Sequence, residues 1–129
     1  MDDIASLIAR VEAAEGPDRE LDAAVAVAAK QVPYDFEPAG NGLASWRAMY
    51  DNRWWDAPAY TASIDAAMTL VPEGVEVATG SGSERSFAQI LYPHRKSGKW
   101  PQRRSVYTTA ATPALALTAA ALRAMEQAK

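Results

Sequence analysis

Residues 75–92 read VEVATGSGSERSFAQILY, and this stretch decides the fold class of the protein. Val75 and Val77 begin one predicted strand, and residues 85–92 form a second. Residues 80–83, between the two runs, are rich in glycine and serine, as is typical of a β-hairpin connection. Hairpin strands are antiparallel, whereas parallel strands need a crossover of roughly a dozen or more residues. The stretch therefore predicts an antiparallel sheet.

The residues after this hairpin extend the sheet and then begin a helix. A third strand is predicted near residues 105–109. Thr112 suits an N-cap and Pro113 suits the first helical position, so a helix is predicted over residues 112–126. Residues 75–110 are thus expected to hold antiparallel strands, with one long basic loop between the second strand and the third.

The residues before the hairpin are predicted to be mainly helical. An apolar repeat beginning at Ile4 predicts a helical hairpin over residues 1–32, with Pro17 at the first position of its second helix. Residues 33–59 contain several turn-forming prolines and glycines, so they are predicted to be irregular, with short strands near 45–50 and 53–55.

A third helix is predicted over residues 60–71. Four apolar residues keep helical spacing there, and a proline and a glycine follow them and end the pattern. The four are Tyr60, Ile64, Met68 and Val71. Helices at both ends and in the middle, around short strands joined by hairpins, indicate an antiparallel sheet covered by helices, in a single α+β domain over residues 1–129.

Composition excludes several classes of protein. The chain has 129 residues, of which 49% are hydrophobic and 22% are charged, as in ordinary globular domains. There is no cysteine, so disulfides and thiolate metal sites are excluded. The N-terminus is acidic where a signal peptide would be basic, and residues 110–122 are too short to span a bilayer, which needs about 20 apolar residues. We expect no membrane association and a cytoplasmic location in the host cell.

Charge is distributed unevenly along the chain. Fifteen of the sixteen acidic residues lie before position 85, so residues 1–84 carry a net −10, whereas residues 85–129 carry +7. Five of the basic residues lie within residues 94–107, HRKSGKWPQRRSVY, where they alternate with aromatic residues. Such asymmetry indicates an anionic partner, and mutual attraction of the two halves within the fold is the alternative.

Catalytic motifs are weak in this sequence. His94 is the only histidine and stands beside basic residues, which disfavour its charged form. The Gly-Ser-Gly-Ser segment lacks the lysine and the following helix of a phosphate-binding loop. The carboxylate pairs Asp18/Asp22 and Asp51/Asp56 have structural explanations, at a helix start and in a turn-rich segment. We therefore expect no enzyme activity, no metal and no cofactor.

Three segments resemble a known family. They are residues 7–22 (LIARVEAAEGPDRELD), 60–74 (YTASIDAAMTLVPEG) and 111–117 (ATPALAL). Together they resemble the phage ABA-sandwich proteins, small proteins encoded by tailed phages and prophages. The resemblance implies an α–β–α sandwich and a phage or prophage origin. It implies no catalytic residues, and the motifs themselves are typical of helix boundaries.

The basic, aromatic stretch gives the one binding hypothesis. Arginine offers a planar fork for phosphate oxygens, and aromatic rings offer a flat surface for a base. The chain is then a non-enzymatic phage accessory protein that binds and sequesters a small nucleotide messenger of host immunity, and so evades anti-phage defence. The predicted ligand-binding residues are Arg95, Lys96, Lys99, Trp100, Arg103, Arg104 and Tyr107, together with Trp54 and Trp55.

Other interpretations stay open at this stage. The stretch could be a solvated loop, with Trp100 packed as an anchor and Tyr107 in the core. Long nucleic acid is disfavoured as a ligand by the net charge of −3, but a nucleic-acid-binding accessory protein is one alternative. A protein-interaction, inhibitory or structural phage module without a small ligand is the other. Paired tryptophans also predict a homo-oligomer, most simply a dimer.

Overall fold

A computed structural model of the protein describes residues 4–29, 37–38, 46–50, 53–92, 95–97, 100–102 and 105–127. Side chains are described for residues 4–29, 57–92 and 105–126, and the backbone alone for the others in those ranges. The elements in chain order are α1 (Ile4–Ala13), α2 (Arg19–Ala28), β1 (Glu37–Pro38), β2 (Trp46–Tyr50), β3 (Arg53–Asp56), α3 (Ile64–Met68), β4 (Glu76–Ser81), β5 (Ser86–Leu91), β6 (Arg95–Ser97), β7 (Trp100–Gln102), β8 (Ser105–Ala110) and α4 (Pro113–Gln127).

Helices α1 and α2 contact each other and are joined by the segment that contains Pro17. The prediction that Pro17 is the first residue of α2 is wrong. Asp18 has an extended backbone, and its carboxylate accepts a hydrogen bond from the Leu21 N–H at 3.1 Å. Asp18 is therefore the N-cap residue, which satisfies an otherwise unpaired N–H of the first turn. The helix begins at the next residue, Arg19, and Pro17 lies before the cap.

Helix α3 begins later than the predicted helix over residues 60–71. Tyr60 and Thr61 lie in a turn before it, where Thr61 is bonded to α2 and so does not begin a helix. Ser63 caps α3 by accepting a hydrogen bond from the Ala66 N–H at 3.2 Å. The tertiary contacts of Thr61 therefore override the helical spacing that the sequence shows.

The buried face of α3 also differs from the predicted apolar stripe. Ile64 and Met68 are each 41% exposed, whereas Ala67 and Leu70 are buried. After Met68 the chain leaves the helix through hydrogen bonds between residues three apart. Gly74 then takes a φ of +84°, a backbone conformation that favours glycine and that turns the chain into β4.

The main sheet has the strand order β4-β5-β8 and is antiparallel throughout. Alternate residues of β5 and β8 are buried, so that one face of the sheet carries the core. Its buried residues on these two strands are Ser86, Ala88, Ile90, Val106, Thr108 and Ala110. Two smaller antiparallel arrangements are described by their backbones: a three-stranded sheet β1-β2-β3 and a hairpin β6-β7.

Helix α4 packs on the buried face of the main sheet and contacts α1 and α3 as well. Thr112 accepts a hydrogen bond from the Leu115 N–H at 3.2 Å and Pro113 is the first helical residue, as predicted. Residues 114–122 are all buried, so the helix is enclosed on all sides rather than on one face. Its many alanines let the surrounding elements approach closely, and the Thr108 hydroxyl donates to the Ala116 carbonyl at 2.6 Å.

The predicted fold class is confirmed. The chain forms one small α+β domain with an antiparallel sheet covered by helices, an arrangement consistent with a helix–sheet–helix sandwich. The strands near 45–50 and 53–55 appear as β2 and β3, within one residue of the predicted bounds. The differences from the predicted elements include the starts of α2 and α3, the end and the buried face of α3, and the extent of the first strand of the β4–β5 hairpin.

Candidate functional site

The cationic stretch leaves the main sheet and returns to it at one point. Leu91, the last residue of β5, is paired with Ser105, the first residue of β8. Between them the backbone forms an antiparallel hairpin in which Arg95 is opposite Gln102 and Ser97 is opposite Trp100. We call residues 95–102 the cationic hairpin. The flexible loop expected from the sequence thus contains two paired strands.

The face of the main sheet opposite α4 is called the outer face here. Strand register places three residues from each strand on it, because directly paired residues share a face. They are Glu76, Ala78 and Gly80 of β4, Leu91, Gln89 and Phe87 of β5, and Ser105, Tyr107 and Thr109 of β8. This surface carries two aromatic rings, short side chains at Ala78, Ser105 and Thr109, and the longer side chains of Glu76, Gln89 and Leu91.

The two aromatic rings of the outer face stack on each other. The ring centroids of Phe87 and Tyr107 are 6.0 Å apart, and the ring planes are inclined by 18°. Gly80 makes room for Phe87, since a Cβ atom at that position would lie 2.6 Å from the Phe87 Cε1 atom. The Phe87 ring therefore extends over β4 on one side and meets Tyr107 on the other.

Tyr107 is the exposed member of this pair. Its side chain is 59% exposed, so the interpretation that Tyr107 lies in the core is wrong. The reason is strand alternation, because its neighbours Val106 and Thr108 take the buried positions. Tyr107 lies two residues from Ser105, which puts it about 7 Å along the strand from the start of β8. An exposed flat ring therefore lies near the end of β8 at which the connection containing the cationic hairpin returns to the sheet.

For the other predicted site residues of this stretch, the structure describes the backbone alone or does not describe the residue. Arg95 and Lys96 lie in β6 and Trp100 lies in β7, with the backbone described and the side chains outside the description. Lys99, Arg103 and Arg104 lie outside the described residues, as does His94. The structure thus places Tyr107 near the start of β8, and Arg95, Lys96 and Trp100 in the paired strands of the connection that precedes it.

Trp54 and Trp55 occupy consecutive positions of β3. Trp54 is paired with Met49 and Trp55 with Ala48 of β2. Consecutive positions of a strand belong to opposite faces of the sheet. The two tryptophan positions therefore do not share a face, which disfavours the binding of one ligand by both.

A second group of polar side chains is buried near the start of α2. Asp22 has no exposed surface, and its carboxylate accepts hydrogen bonds from both the N–H and the hydroxyl of Thr61, each at 2.8 Å. Arg19 donates to the same carboxylate at 2.6 Å and also to the Ala57 carbonyl. These contacts join α2 to the turn before α3, and they leave the carboxylate fully occupied.

Burial shifts the pKa values of Asp22 and of the neighbouring Tyr60. It raises the pKa of the Asp22 carboxyl above its ordinary value, against the opposing effects of hydrogen bonds from Thr61 and the positive charge of Arg19. Burial, with a smaller contribution from the negative charge of Asp22, also raises the pKa of Tyr60 to about 12. A raised carboxyl pKa is typical of catalytic acids, but here Thr61 and Arg19 bind the carboxylate and give it a structural role.

Sequence reasoning missed Asp22, Phe87 and Gly80 for different reasons. Asp22 was attributed to a helix start together with Asp18, although its place beside the buried Leu21 and Val25 was a signal of burial. Strand alternation in SFAQIL could have placed Phe87 on the outer face. Gly80 was assigned to the hairpin connection, but β4 continues to Ser81 and the described connection begins at Gly82.

Three further observations concern the kind of protein this is. Within the described ranges, no three side chains of His, Cys, Asp or Glu come together as a set of metal ligands. No helix in the described part of the chain is both long and apolar enough to span a bilayer. Comparison of the chain with protein-family models, with curated proteins and with solved structures gives no match.

Proposed function

We propose that this protein binds a small nucleotide-like anion between the outer face of the main sheet and the cationic hairpin. The observation that carries the proposal is the position of Tyr107, whose largely exposed ring lies two residues from Ser105, where the connection that contains the hairpin joins β8. An exposed aromatic ring on a sheet is a common platform for a nucleobase. Lysine and arginine side chains supply the complementary groups for phosphate.

The ring pair makes the platform rigid before any ligand arrives. Tyr107 is held against Phe87, and Phe87 is held over Gly80, so less side-chain freedom is lost when a base stacks. Short neighbours such as Ser105 and Thr109 leave the ring accessible while offering hydroxyl groups. The charged partners come from the sequence: Arg95, Lys96, Lys99, Arg103 and Arg104 all lie within the connection between β5 and β8.

The biological role that fits this site is sequestration. The chain offers binding chemistry without a nucleophile, base or metal set that the sequence identifies. Its resemblance to phage ABA-sandwich proteins supports a phage accessory protein, acting in the host cytoplasm, that holds a nucleotide messenger of bacterial immunity. This role depends on the resemblance, whereas the ligand class depends on Tyr107 and the cationic hairpin.

Titration calorimetry of the full chain against mononucleotides and cyclic mono- and dinucleotides tests the proposal. Tyr107→Ala should weaken binding by about 1–3 kcal/mol, or roughly five- to a hundred-fold, because the stacking surface is lost. Tyr107→Phe keeps the ring face and should bind within about threefold of the wild type. Arg103→Ala and Arg104→Ala should each weaken binding about ten- to a hundred-fold through loss of a charge-assisted hydrogen bond.

A matched control separates local contacts from net charge. Arg10→Ala removes one positive charge from α1 and should leave the affinity nearly unchanged. Equal weakening in Arg10→Ala and Arg103→Ala would show a non-specific effect of charge. If the wild type binds no nucleotide, the protein-interaction alternative takes precedence.

A further inference from the structure

We infer that the free edge of β4 pairs with β4 of a second copy of this chain, so that two three-stranded sheets form one six-stranded antiparallel sheet. Among the described strands, β4 is hydrogen-bonded only to β5 and lies at the edge of the main sheet. An edge strand presents a row of backbone donors and acceptors that another strand can pair with. This inference concerns assembly and is independent of the proposed ligand.

One hydrogen bond identifies the backbone groups that face outward. The Gly82 N–H donates to the Arg85 carbonyl at 2.8 Å, and these residues continue the β4–β5 register. In an antiparallel ladder, bonded and non-bonded pairs alternate. The even-numbered residues of β4 therefore bond to β5, and the N–H and C=O groups of Val77, Thr79 and Ser81 face away from it.

Strand β4 itself lacks three features that often protect edge strands: a bulge, a proline and a lysine. Its pairing with β5 runs without a bulge from Glu76 to Ser81, and the strand contains no proline and no lysine. Ala78 and Thr79 belong to opposite faces and are both exposed, so a neighbouring strand has access. The side chains along this edge are short, which permits a close backbone approach.

The opposite edge of the sheet is different. Helix α1 contacts β8, and the Arg85 guanidinium bonds both to the Thr109 carbonyl of β8 and to the Glu12 carbonyl of α1. These contacts bring α1 and a charged side chain to the β8 side. Within the part of the chain that the structure describes, the β4 edge is therefore the one available for strand addition.

A second copy is the partner that this edge fits best. Antiparallel pairing centred on Thr79 places Val77 opposite Ser81 of the other copy, and the outward groups then form about six backbone hydrogen bonds. Glu76, the only charged residue of β4, lies at one end of the strand, so the two copies keep these carboxylates at opposite ends. The pairing thus avoids the repulsion of like charges directly opposite each other.

This assembly has a defined consequence for the outer faces. The two-fold axis is perpendicular to the sheet, so both outer faces lie on the same side of the dimer. Five strand spacings separate β8 from its symmetry mate, which puts the two Tyr107 positions about 24 Å apart across the strands. The two cationic hairpins lie at opposite ends of the combined sheet, because each begins at the Glu76 end of its own copy.

Sedimentation equilibrium of the full chain, over a series of micromolar concentrations, tests the pairing. The wild type should approach twice its monomer mass of 13.9 kDa. Thr79→Pro removes an outward N–H that β5 does not use, so it should give a monomer. Thr79→Ala changes the same side chain and keeps the N–H, so it should remain dimeric.

A second variant guards against misfolding of the proline variant. Thr79→Lys keeps every backbone group but places two positive charges opposite each other at the centre of the pair, and should also give a monomer with an unchanged circular dichroism spectrum. A wild type that stays at 13.9 kDa at the highest concentration would overturn the inference. So would a Thr79→Lys variant that is folded and dimerises like the wild type.

Discussion

Asp22 joins two parts of the fold through one carboxylate. It binds Thr61 of the turn before α3 through two hydrogen bonds and binds Arg19 of its own helix through an ion pair. The Thr61 hydroxyl also accepts a hydrogen bond from the Asp18 N–H at 2.8 Å. These donors and acceptors are hydrogen-bonded to one another, so the removal of the Asp22 carboxylate leaves several polar groups without partners.

Asp22→Ala should therefore reduce the free energy of unfolding strongly. A buried ion pair that loses one partner typically costs about 3–5 kcal/mol, and the unpaired Thr61 N–H adds to the loss. Urea denaturation followed by circular dichroism measures the change. Asp18→Ala is the matched control, since it removes only an N-cap and should cost about 1 kcal/mol. Equal losses in the two variants would contradict the bridging role of Asp22.

The raised pKa of Tyr60 should make the protein less stable in strongly alkaline solution. Its pKa is raised to about 12 in the folded protein, from an ordinary value near 10. A raised folded pKa means that the contribution of this group to stability is complete below about pH 10 and is lost as the pH rises through about 12. Over this pH range the free energy of unfolding should fall by about 3 kcal/mol because of Tyr60.

Tyr60→Phe removes this titration and serves as the comparison. Between about pH 9 and 12, the free energy of unfolding of the wild type should fall more steeply than that of Tyr60→Phe, after the other tyrosines and lysines have contributed equally to both. Parallel curves for the two proteins would show that Tyr60 ionises as easily in the folded state as in the unfolded state.

The β4–β5 hairpin shows why two glycines in one short segment have different roles. Gly80 lies within β4, where the Phe87 ring occupies the space that a Cβ atom would need. Gly82 begins the connection, and a Cβ atom there would lie 2.8 Å from the Arg85 carbonyl oxygen. A ring can swing aside, whereas a backbone oxygen moves only with the hairpin itself.

The same substitution at these two positions should therefore have unequal effects. Gly82→Ala should lower the free energy of unfolding by about 1–3 kcal/mol, because the hairpin backbone must shift. Gly80→Ala should cost less, but it should displace Phe87 and change the near-ultraviolet circular dichroism of the ring pair. Thermal melts and near-ultraviolet spectra of both variants give the comparison. A larger stability loss for Gly80→Ala would show that the ring pair is as rigid as the backbone.

Elements with strong local signals could be predicted from the sequence. The hairpin of β4 and β5 follows from alternation and turn residues, and α4 follows from Thr112 and Pro113. The start of α3 could not be predicted, because Thr61 is held by Asp22, which lies 39 residues earlier in the chain. Long-range hydrogen bonds of this kind leave no periodic pattern, and the helical spacing of Tyr60 and Ile64 was misleading for that reason.

The candidate site could be predicted only in part. The cluster of basic and aromatic residues was visible in the sequence, and the exposed ring of Tyr107 lies at its edge. The stack with Phe87 could not be predicted without the register of β5 and β8, which sets the two residues on one face. The ligand roles of Trp100, Trp54 and Trp55 remain predictions.

At the scale of the whole molecule, the uneven charge decides which anions the site suits. Residues 1–84 carry a net −10, and the complete chain carries −3. Beyond about 8 Å, these charges are screened from a ligand in the cationic hairpin at physiological salt. A long strand would extend past the hairpin, and the acidic excess of residues 1–84 would disfavour its further phosphates. A compact nucleotide would meet the cations of the connection between β5 and β8, with Glu76 as the one charged residue that the register places on the described outer face.

A length series of ligands tests this limit. Binding of the full chain to a mononucleotide, a dinucleotide and an oligonucleotide of about 20 residues should show no gain in affinity beyond the length that fills one site. The affinity for the short ligands should fall only gently with added salt, because short anions release few condensed counterions. An extended interface would instead give a steep fall, with a logarithmic slope of about −0.7 for each phosphate contacted. Affinity that rises steadily with length, together with such a slope, would favour the nucleic-acid-binding alternative over a small nucleotide.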